Sequence, residues 1–291
     1  MEAANTGNGQ DAGSGQGNLP EHLPPHLAAL HGRLMETIAA MGSVVVAFSG
    51  GVDSSLVAWL AHRALGQRAL AVTSGSASLS RDDLALTRTL AAKWGMAHRV
   101  IETAEMQNPA YRANPIERCF HCKSTLYTDL EALAAAEGYA VLLNGTNTDD
   151  LGDHRPGLEA ARRYKVRAPL VECGVDKATV RALATALGLP NADKPQAACL
   201  SSRVPYGMAI SPDVLGKIEA AEGFLRGLGL VQLRVRHHGP MARIEVPPED
   251  MAVVMAHREA IHARLGEIGY SYVTLDLKGF RSGSLNETLP Q

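Results

Sequence analysis

Residues 49–55 read Ser-Gly-Gly-Val-Asp-Ser-Ser, directly after the apolar run 44–48 and directly before a helical pattern that begins at Leu56. A strand, a short Gly/Ser loop and a helix make a cradle for an anion. Backbone N–H groups and the positive end of the helix then face the same ligand. Gly50 and Gly51 permit close backbone approach and a positive φ. Val52 lies within the loop, and Ser49, Ser54 and Ser55 add hydroxyl donors. The run differs from the phosphate loop G-x-x-x-x-G-K-[ST] in having no lysine. Asp53 stands where a metal or an attacking group needs a carboxylate. An ordinary Gly/Ser turn is the bland alternative, and the strand before and helix after argue against it. The loop points to a phosphate-bearing ligand but names no acceptor.

The cysteines are the second source of chemistry. Cys119 and Cys122 form C-x-x-C in Glu-Arg-Cys-Phe-His-Cys-Lys, which follows Asn114-Pro115 and reads as a loop or the start of a helix. Cys199 lies far downstream in Ala-Ala-Cys-Leu-Ser-Ser-Arg, and Cys173 stands alone and reads as a buried small residue. Three thiolates can close on a zinc ion if His121 supplies a fourth ligand. They can hold a [4Fe–4S] cluster with one iron free of protein ligands. They can also be unrelated thiols, with Cys199 a separate nucleophile. Spacing leaves these three open.

The elements that must position these groups alternate. Apolar strands are expected at 44–48, 69–73, 99–102 and 141–145. Helices are expected at 26–41, 56–65, 81–94 and 127–137. Short apolar strands between helices indicate an α/β fold with a doubly wound parallel sheet, whose ligands sit beyond the carboxyl ends of the strands. Ser49, Thr73 and Gly145 all fall at that edge. After Pro205-Tyr206-Gly207 the pattern changes to a helix at 212–228, strands at 232–237 and 243–246, a helix at 248–268 and a strand at 272–277. This divides the chain into a tail (1–22), a nucleotide-type domain (23–205) and a small α+β domain (206–291). The tail is Gly-, Asn-, Gln- and Ser-rich with almost no apolar content and reads as disordered.

Composition sets outer limits. With 291 residues, 46% of them hydrophobic, the chain can bury a sizeable core. A net charge of −2 and 4% aromatic residues argue against a broad basic face for nucleic acid. No apolar run approaches the roughly 20 residues of a membrane span. The absence of a cationic-then-apolar leader pattern points to the cytoplasm, where cysteines serve metal or redox chemistry more often than disulfides.

The 49–55 loop resembles the PP-loop of the ATP pyrophosphatases, which cleave ATP between the α- and β-phosphates and adenylate an oxygen. Taken with C-x-x-C, with the run from Asn144 through Asp149-Asp150-Leu151-Gly152-Asp153-His154-Arg155-Pro156-Gly157, and with Ala198-Cys199-Leu200-Ser201-Ser202-Arg203, the chain resembles the LarE family over nearly all its length after the tail. These are PP-loop sulfurtransferases that build the nickel-pincer nucleotide of lactate racemase. The resemblance implies that ATP adenylates a carboxylate of a pyridinium dicarboxylate mononucleotide, with Mg2+ at the phosphates. A sulfur nucleophile then displaces AMP to leave a thiocarboxylate. Family members with only the cysteine matching Cys199 sacrifice its sulfur, whereas those with three cysteines resemble cluster-bearing forms. Cys119 and Cys122 therefore favour a [4Fe–4S] cluster on Cys119, Cys122 and Cys199.

Carried over residue by residue, the resemblance implies that Ser49, Gly50, Gly51, Val52, Asp53, Ser54 and Ser55 bind pyrophosphate and its metal. Thr73, Gly145 and Thr146 would approach the nucleotide. Asp150 is a second candidate Mg2+ ligand, or else part of a helix cap. Lys123, Ser202, Arg203, Arg234, Arg236 and Glu245 are candidates for the substrate, the arginines by bidentate contact with phosphate and carboxylates. Adjacent His237 and His238 point to opposite strand faces and share no metal. A small-molecule nucleotide substrate, an unidentified sulfide-donor protein and a homo-oligomer are the implied partners. The main rival is a tRNA thiolation enzyme, which also combines a PP-loop with C-x-x-C and a distant cysteine but needs a basic docking surface. An NAD or GMP synthetase leaves Cys199 unexplained, and a non-catalytic nucleotide sensor leaves Asp53 and the cysteines unexplained.

Overall fold

The structure is a computed structural model that describes residues 23–152, 156–195, 198–281 and 285. The tail expected at 1–22 lies outside the described residues, as do 153–155 of the family segment. In chain order the first part runs α1 (Pro25–Ala39), β1 (Val44–Ala47), α2 (Val52–Leu65), β2 (Ala69–Ser74), α3 (Arg81–Trp94), β3 (Ala97–Ile101), α4 (Pro109–Arg112), α5 (Arg118–Glu137), β4 (Val141–Leu143), α6 (Pro156–Arg163), α7 (Pro169–Glu172) and α8 (Lys177–Ala186). The second part runs α9 (Pro212–Gly227), β5 (Arg234–His238), β6 (Met241–Glu245), α10 (Met251–Ala256), α11 (Arg258–Ile268) and β7 (Tyr272–Leu275).

The strand with no polar residue dictates the layering. Val44, Val45 and Val46 are all but inaccessible to solvent, so β1 must be covered on both faces, as a parallel sheet wrapped by helices requires. The sheet order is β3-β2-β1-β4 and every pairing is parallel. Val44 and Val46 join Leu34 and Ile38 of α1, Leu56 and Leu60 of α2 and Leu183 of α8 in one apolar cluster. Val45 joins Leu70, Val72, Tyr127 and Leu130 in another, on the α5 side. This is the doubly wound α/β architecture that the alternating pattern implies. Because the strands are parallel, residues 48–51, 75–78 and 144–147 leave their carboxyl ends on one edge.

A second sheet, β5-β6-β7, pairs β5 with β6 antiparallel and β6 with β7 parallel. It covers a cluster built from Leu225, Val235, Ile244, Val254 and Leu265. A further cluster joins Tyr111, Leu200 and Val204 to Ile210, Leu215 and Ile218 at the start of α9.

Three helices differ from expectation by more than two residues. Helix α2 starts at Val52, so Asp53, Ser54 and Ser55 occupy its first turn instead of preceding it. Helix α5 starts at Arg118, nine residues before the expected Tyr127, which makes C-x-x-C helical. Both turns face the polar edge of the sheet and lack the apolar repeat that marks a core-facing helix. The single helix expected at 248–268 is a 3-10 turn (Pro248–Asp250) followed by α10 and α11. It breaks at His257, whose ring Nδ1 lies 2.9 Å from the Val253 carbonyl. Helix α8 was not anticipated, although Asp176 caps it through Thr179 N and Val180, Leu183 and Ala184 form its buried stripe.

Candidate active site

The 49–55 loop closes on itself. Gly50 has φ +74, and the extended Gly51 (φ −72, ψ 154) caps α2. Ser54 Oγ donates to Gly51 O at 3.0 Å, so it must accept from both Ser49 N (3.2 Å) and Ser49 Oγ (3.1 Å). Ser55 is fully buried and its Oγ accepts from Asn191 Nδ2 at 2.8 Å. The hydroxyls expected to face a ligand from Ser54 and Ser55 are thus turned inward to shape the loop. The amides of Gly51, Val52, Asp53 and Ser54, which open α2, have no intrahelical acceptor. Val52 itself packs its side chain into the core.

The segment after β4 lies against this turn. A Cβ at Gly145 would sit 2.5 Å from Ser54 N, so the glycine is required for the backbone of 145 to pass that of 54. Gly145 therefore seats the loop, in addition to the nucleotide contact expected of it. Thr146 N donates to Asn144 Oδ1 at 3.1 Å. Asn147 Nδ2 donates to Asp53 Oδ1 at 3.1 Å, and Lys177 Nζ pairs with Asp53 Oδ2 at 2.5 Å. Asp150 Oδ2 accepts the Asn147 amide and Asp149 Oδ2 accepts that of Lys177. Both carboxylates therefore accept backbone amides. Among the described residues, no three His, Cys, Asp or Glu side chains gather as ligands of one ion. Thr73 Oγ1 donates to Phe48 O at 2.7 Å and lies 2.8 Å from His98 Nε2, which must then be the donor. Thr73 is buried and its hydroxyl ties three neighbouring strands together.

The cysteines are drawn together by a buried clamp. Arg118, 3% exposed, donates from Nη1 to Asn114 Oδ1 and to Ser201 O, each at 2.8 Å, and its Nη2 lies 3.9 Å from Cys119 Sγ. Asn114, with a left-handed φ of 53, reaches the carbonyls of Val204, Pro205 and Met208. Tyr111 OH meets Ser201 Oγ at 2.6 Å. The segment after Cys199 is therefore stitched to the start of α5. Cys119 and Cys199 are exposed, whereas Cys122 is half-buried beside the Leu200 cluster. Burial, with smaller contributions from Cys199, Glu105 and Cys119, pushes the Cys122 thiol up to about 12 against the opposing pull of Lys123. The Lys123 ammonium is held above its ordinary value: burial lowers its affinity for a proton, but negative charge on Tyr127 and on the three cysteines raises it. His121 was a candidate fourth ligand, and its ring stacks edge-on with Phe120. Cys173 stands apart, against Thr37.

Two of the candidate substrate arginines, Arg203 and Arg236, are paired with carboxylates within the protein. Arg203 forks onto Glu222 at 2.9 and 3.2 Å, and its Nη1 donates to Ala198 O, Cys199 O and Ser202 Oγ. Arg236 pairs with Glu245 at 2.9 Å and donates to Ser202 O at 2.6 Å. Ser202 Oγ donates back to Cys199 O. Arg203, Arg236 and Glu245 are buried, so here they hold the Cys199 turn rather than present charge to solvent. Arg234 is buried as well, donates to Arg281 O at 3.2 Å and stacks over Phe280 at 4.5 Å; burial, then Arg236 and Arg203, lower its pKa to about 10, an environment that favours an incoming anion. His237 faces Tyr270 instead of a shared metal with His238.

Residues to which the motifs give no role complete the site: Arg118, Asn114, Lys177, Asn191 and Lys194. Lys194 pairs with Asp83 at 2.5 Å and Asn191 holds Gly50 O at 3.0 Å, so the back of the loop is braced by the segment before Cys199. Only their partners, distant in sequence, reveal them.

Residues 28–118 match the NAD synthase family. An uncharacterized protein of Synechocystis is 44% identical over 88% of this chain and 96% of its own length. A tRNA-specific 2-thiouridylase of Azorhizobium caulinodans is 35% identical, over 55% of this chain and 50% of its own length. A pyridinium-3,5-bisthiocarboxylic acid mononucleotide synthase of Lactiplantibacillus plantarum is 35% identical over 90% of this chain and 96% of its own. With that identity carried across nearly both whole chains, the protein belongs to the LarE family of PP-loop sulfurtransferases.

Proposed function

We propose that the protein is an ATP-dependent sulfur insertase that adenylates the carboxylates of pyridinium-3,5-biscarboxylic acid mononucleotide and converts them to thiocarboxylates. The observation that carries this reading is the Arg118 clamp, which joins the Cys199 turn to the C-x-x-C helix in a chain with a PP-type loop. A carboxylate oxygen attacks the α-phosphorus of ATP and the bond to pyrophosphate breaks. The amides that open α2 would hold the departing phosphates, with Asp53 placed to be a ligand of Mg2+. Sulfur then attacks the acyl carbon and AMP leaves. Arg234 receives the substrate phosphate, while Arg203, Arg236, Ser202 and Glu245 position the turn that carries Cys199.

The chemistry of the donor set would suit a [4Fe–4S] cluster: three cysteines lie near the cations Arg118 and Lys123, which would offset thiolate charge. Cys119, Cys122 and Cys199 would hold it, and when bound it supplies a removable sulfide that spares the protein's own sulfur. The second reading, Cys199 as a sacrificial donor, is favoured by the exposure of that thiol. Anaerobic purification separates the two. A brown protein that turns over repeatedly supports the cluster. A colourless, active protein that loses the mass of one sulfur establishes sacrifice. Thiolation of tRNA at useful rates would overturn the small-molecule reading altogether. Residues 23–205 would form the ATP pyrophosphatase domain and 206–291 the substrate and oligomerisation domain of a homo-oligomer, resupplied with sulfide by another protein.

A further inference from the structure

The 49–55 loop and the Cys199 turn are far apart in the chain, yet both are tied to the start of α3. We propose that Asp83, in the first turn of that helix, is a positioning residue that registers Cys199 against the nucleotide loop, so that sulfur attack keeps pace with adenylation. It acts through Lys194 and Ser80 and not by contact with the substrate. The inference rests on the reading of 49–55 as the adenylation site and of Cys199 as the place where sulfur arrives.

On one side α3 carries the loop. Lys194 Nζ donates to Gly50 O at 3.4 Å and pairs with Asp83 Oδ1 at 2.5 Å. A Cβ at Gly50 would stand 3.1 Å from Thr87 Cγ2 and 3.6 Å from Asp83 O, so the loop lies directly on this helix. On the other side α3 carries the sulfur turn. Ser78 O, just ahead of the helix, accepts the amide of Leu200, the residue after Cys199, at 2.8 Å, and Ser78 and Leu200 are both buried. Asp83 joins the two sides. Its Oδ2 accepts from Ser80 Oγ at 2.8 Å, and Ser80 Oγ accepts from Asp83 N at 3.1 Å, which closes the helix cap between Ser78 and the loop brace. Lys194 is itself anchored through its carbonyl, which accepts Arg181 Nη2 at 3.0 Å. The neighbouring ion pairs of α3 are poorly suited to this task. Arg81 and Asp82 are 89% and 78% exposed where they meet Glu219 and Arg226, so solvent screens them, whereas Asp83 and Lys194 are 21% and 20% exposed. Registration matters to the chemistry because an acyl adenylate left waiting for sulfur is open to water. Hydrolysis returns the carboxylate and AMP, and pyrophosphate has then been released with no sulfur transferred.

The test is a single-turnover reaction of the anaerobically purified full chain, in excess over pyridinium-3,5-biscarboxylic acid mononucleotide and supplied with Mg2+-ATP. Pyrophosphate released and thiocarboxylate formed are measured in the same sample. The wild type is expected to give equal amounts of the two. Asp83→Asn keeps an oxygen for Ser80 and removes the charge that Lys194 pairs with. It is expected to raise the ratio of pyrophosphate to thiocarboxylate about tenfold, the size of a lost charge-assisted contact. Lys194→Gln breaks the same pair from the other side and should raise the ratio alike, and the double variant should raise it no further. A protein that is merely destabilised loses both products in proportion and keeps the wild-type ratio. If Asp83→Asn does not fold, Lys194→Gln decides alone. A wild-type ratio in the single variants, or effects that multiply in the double variant, would overturn the inference. Wild-type protein that releases no pyrophosphate with this substrate would remove the proposed function, and this inference with it.

Discussion

Gly145 and Ser54 touch through their backbones: a methyl group on residue 145 would stand 2.5 Å from the Ser54 amide nitrogen and 2.8 Å from its Cα. Both neighbours are main-chain atoms of a helix turn, so neither can rotate away. Gly145→Ala must displace either the loop after β4 or the first turn of α2. We expect a loss of about 1–3 kcal/mol, as for overpacking elsewhere, together with weakened Mg2+-ATP binding. Urea unfolding and calorimetry check this, and unaltered nucleotide affinity would refute the seating role of Gly145.

Cys199→Ala should abolish sulfur transfer while substrate-dependent release of pyrophosphate continues, because the groups proposed to bind ATP lie in 49–55 and 144–150. A coupled pyrophosphate assay beside product mass spectrometry separates the two steps. Loss of both activities would assign Cys199 to structure.

Glu222 is inaccessible to solvent and receives Arg203, Arg226 and the Val235 amide. Removing it in Glu222→Ala strands the buried guanidinium of Arg203 at a cost of about 3–5 kcal/mol. The double variant Arg203→Met/Glu222→Leu should recover most of that stability in urea. It should still transfer sulfur slowly, since Arg203 also holds the carbonyls of Ala198 and Cys199. Full activity in the stable double variant would show that the pair does not position the Cys199 turn.

Acid should destabilise the protein in the range where histidines titrate. Burial first, then Arg63 for His31 and His62 and Arg88 for His98, holds these rings below the ordinary 6.5. Burial does the same for His237 and His238, with Lys217 and Arg243 as the next contributors. His31 Nε2, His62 Nδ1 and His238 Nε2 are buried without a hydrogen-bond partner among the described residues. An unfolded chain therefore takes up protons that the folded chain refuses, and stability falls as pH drops below about 6.5 and is unaffected by these rings above it. Melting temperatures followed from neutral to mildly acidic pH, with the ring protons titrated by NMR, test this. A flat profile would contradict it.

The motif residues were legible because they are contiguous. The strand–loop–helix signature of 44–65 and the helical repeat of Leu27, Leu30, Leu34 and Ile38 carry their own evidence in spacing. The sheet was legible for the same reason, since β1 is apolar at every position that needs covering. The braces of the site were not. Lys177 meets Asp53 across 124 positions and Arg118 meets Ser201 across 83, and no local pattern encodes such pairings. The arginines show a second limit. Arg234 and Arg236 alternate on one strand, which matches an anion site, but only the fold reveals that Glu245 already occupies Arg236. The start of α5 was missed because Arg118, Cys119 and Lys123 face a polar site and leave no apolar stripe to read.

That helical start has a consequence for how the protein tolerates change in length. Cys119 and Cys122 are three apart and Cys119 and Lys123 four apart on α5, so all three share a side of the helix. Inserting or deleting one residue between Arg118 and Cys122 would swing the second thiol by about 100° around the axis. The connections between Cys122 and Cys199 are under no such rule. They can lengthen or shorten freely as long as Arg118 and Asn114 still grip the backbone at Ser201, Val204 and Pro205. Two of the thiols are thus set by a rigid ruler and the third by a clasp, and only the ruler fixes a residue count.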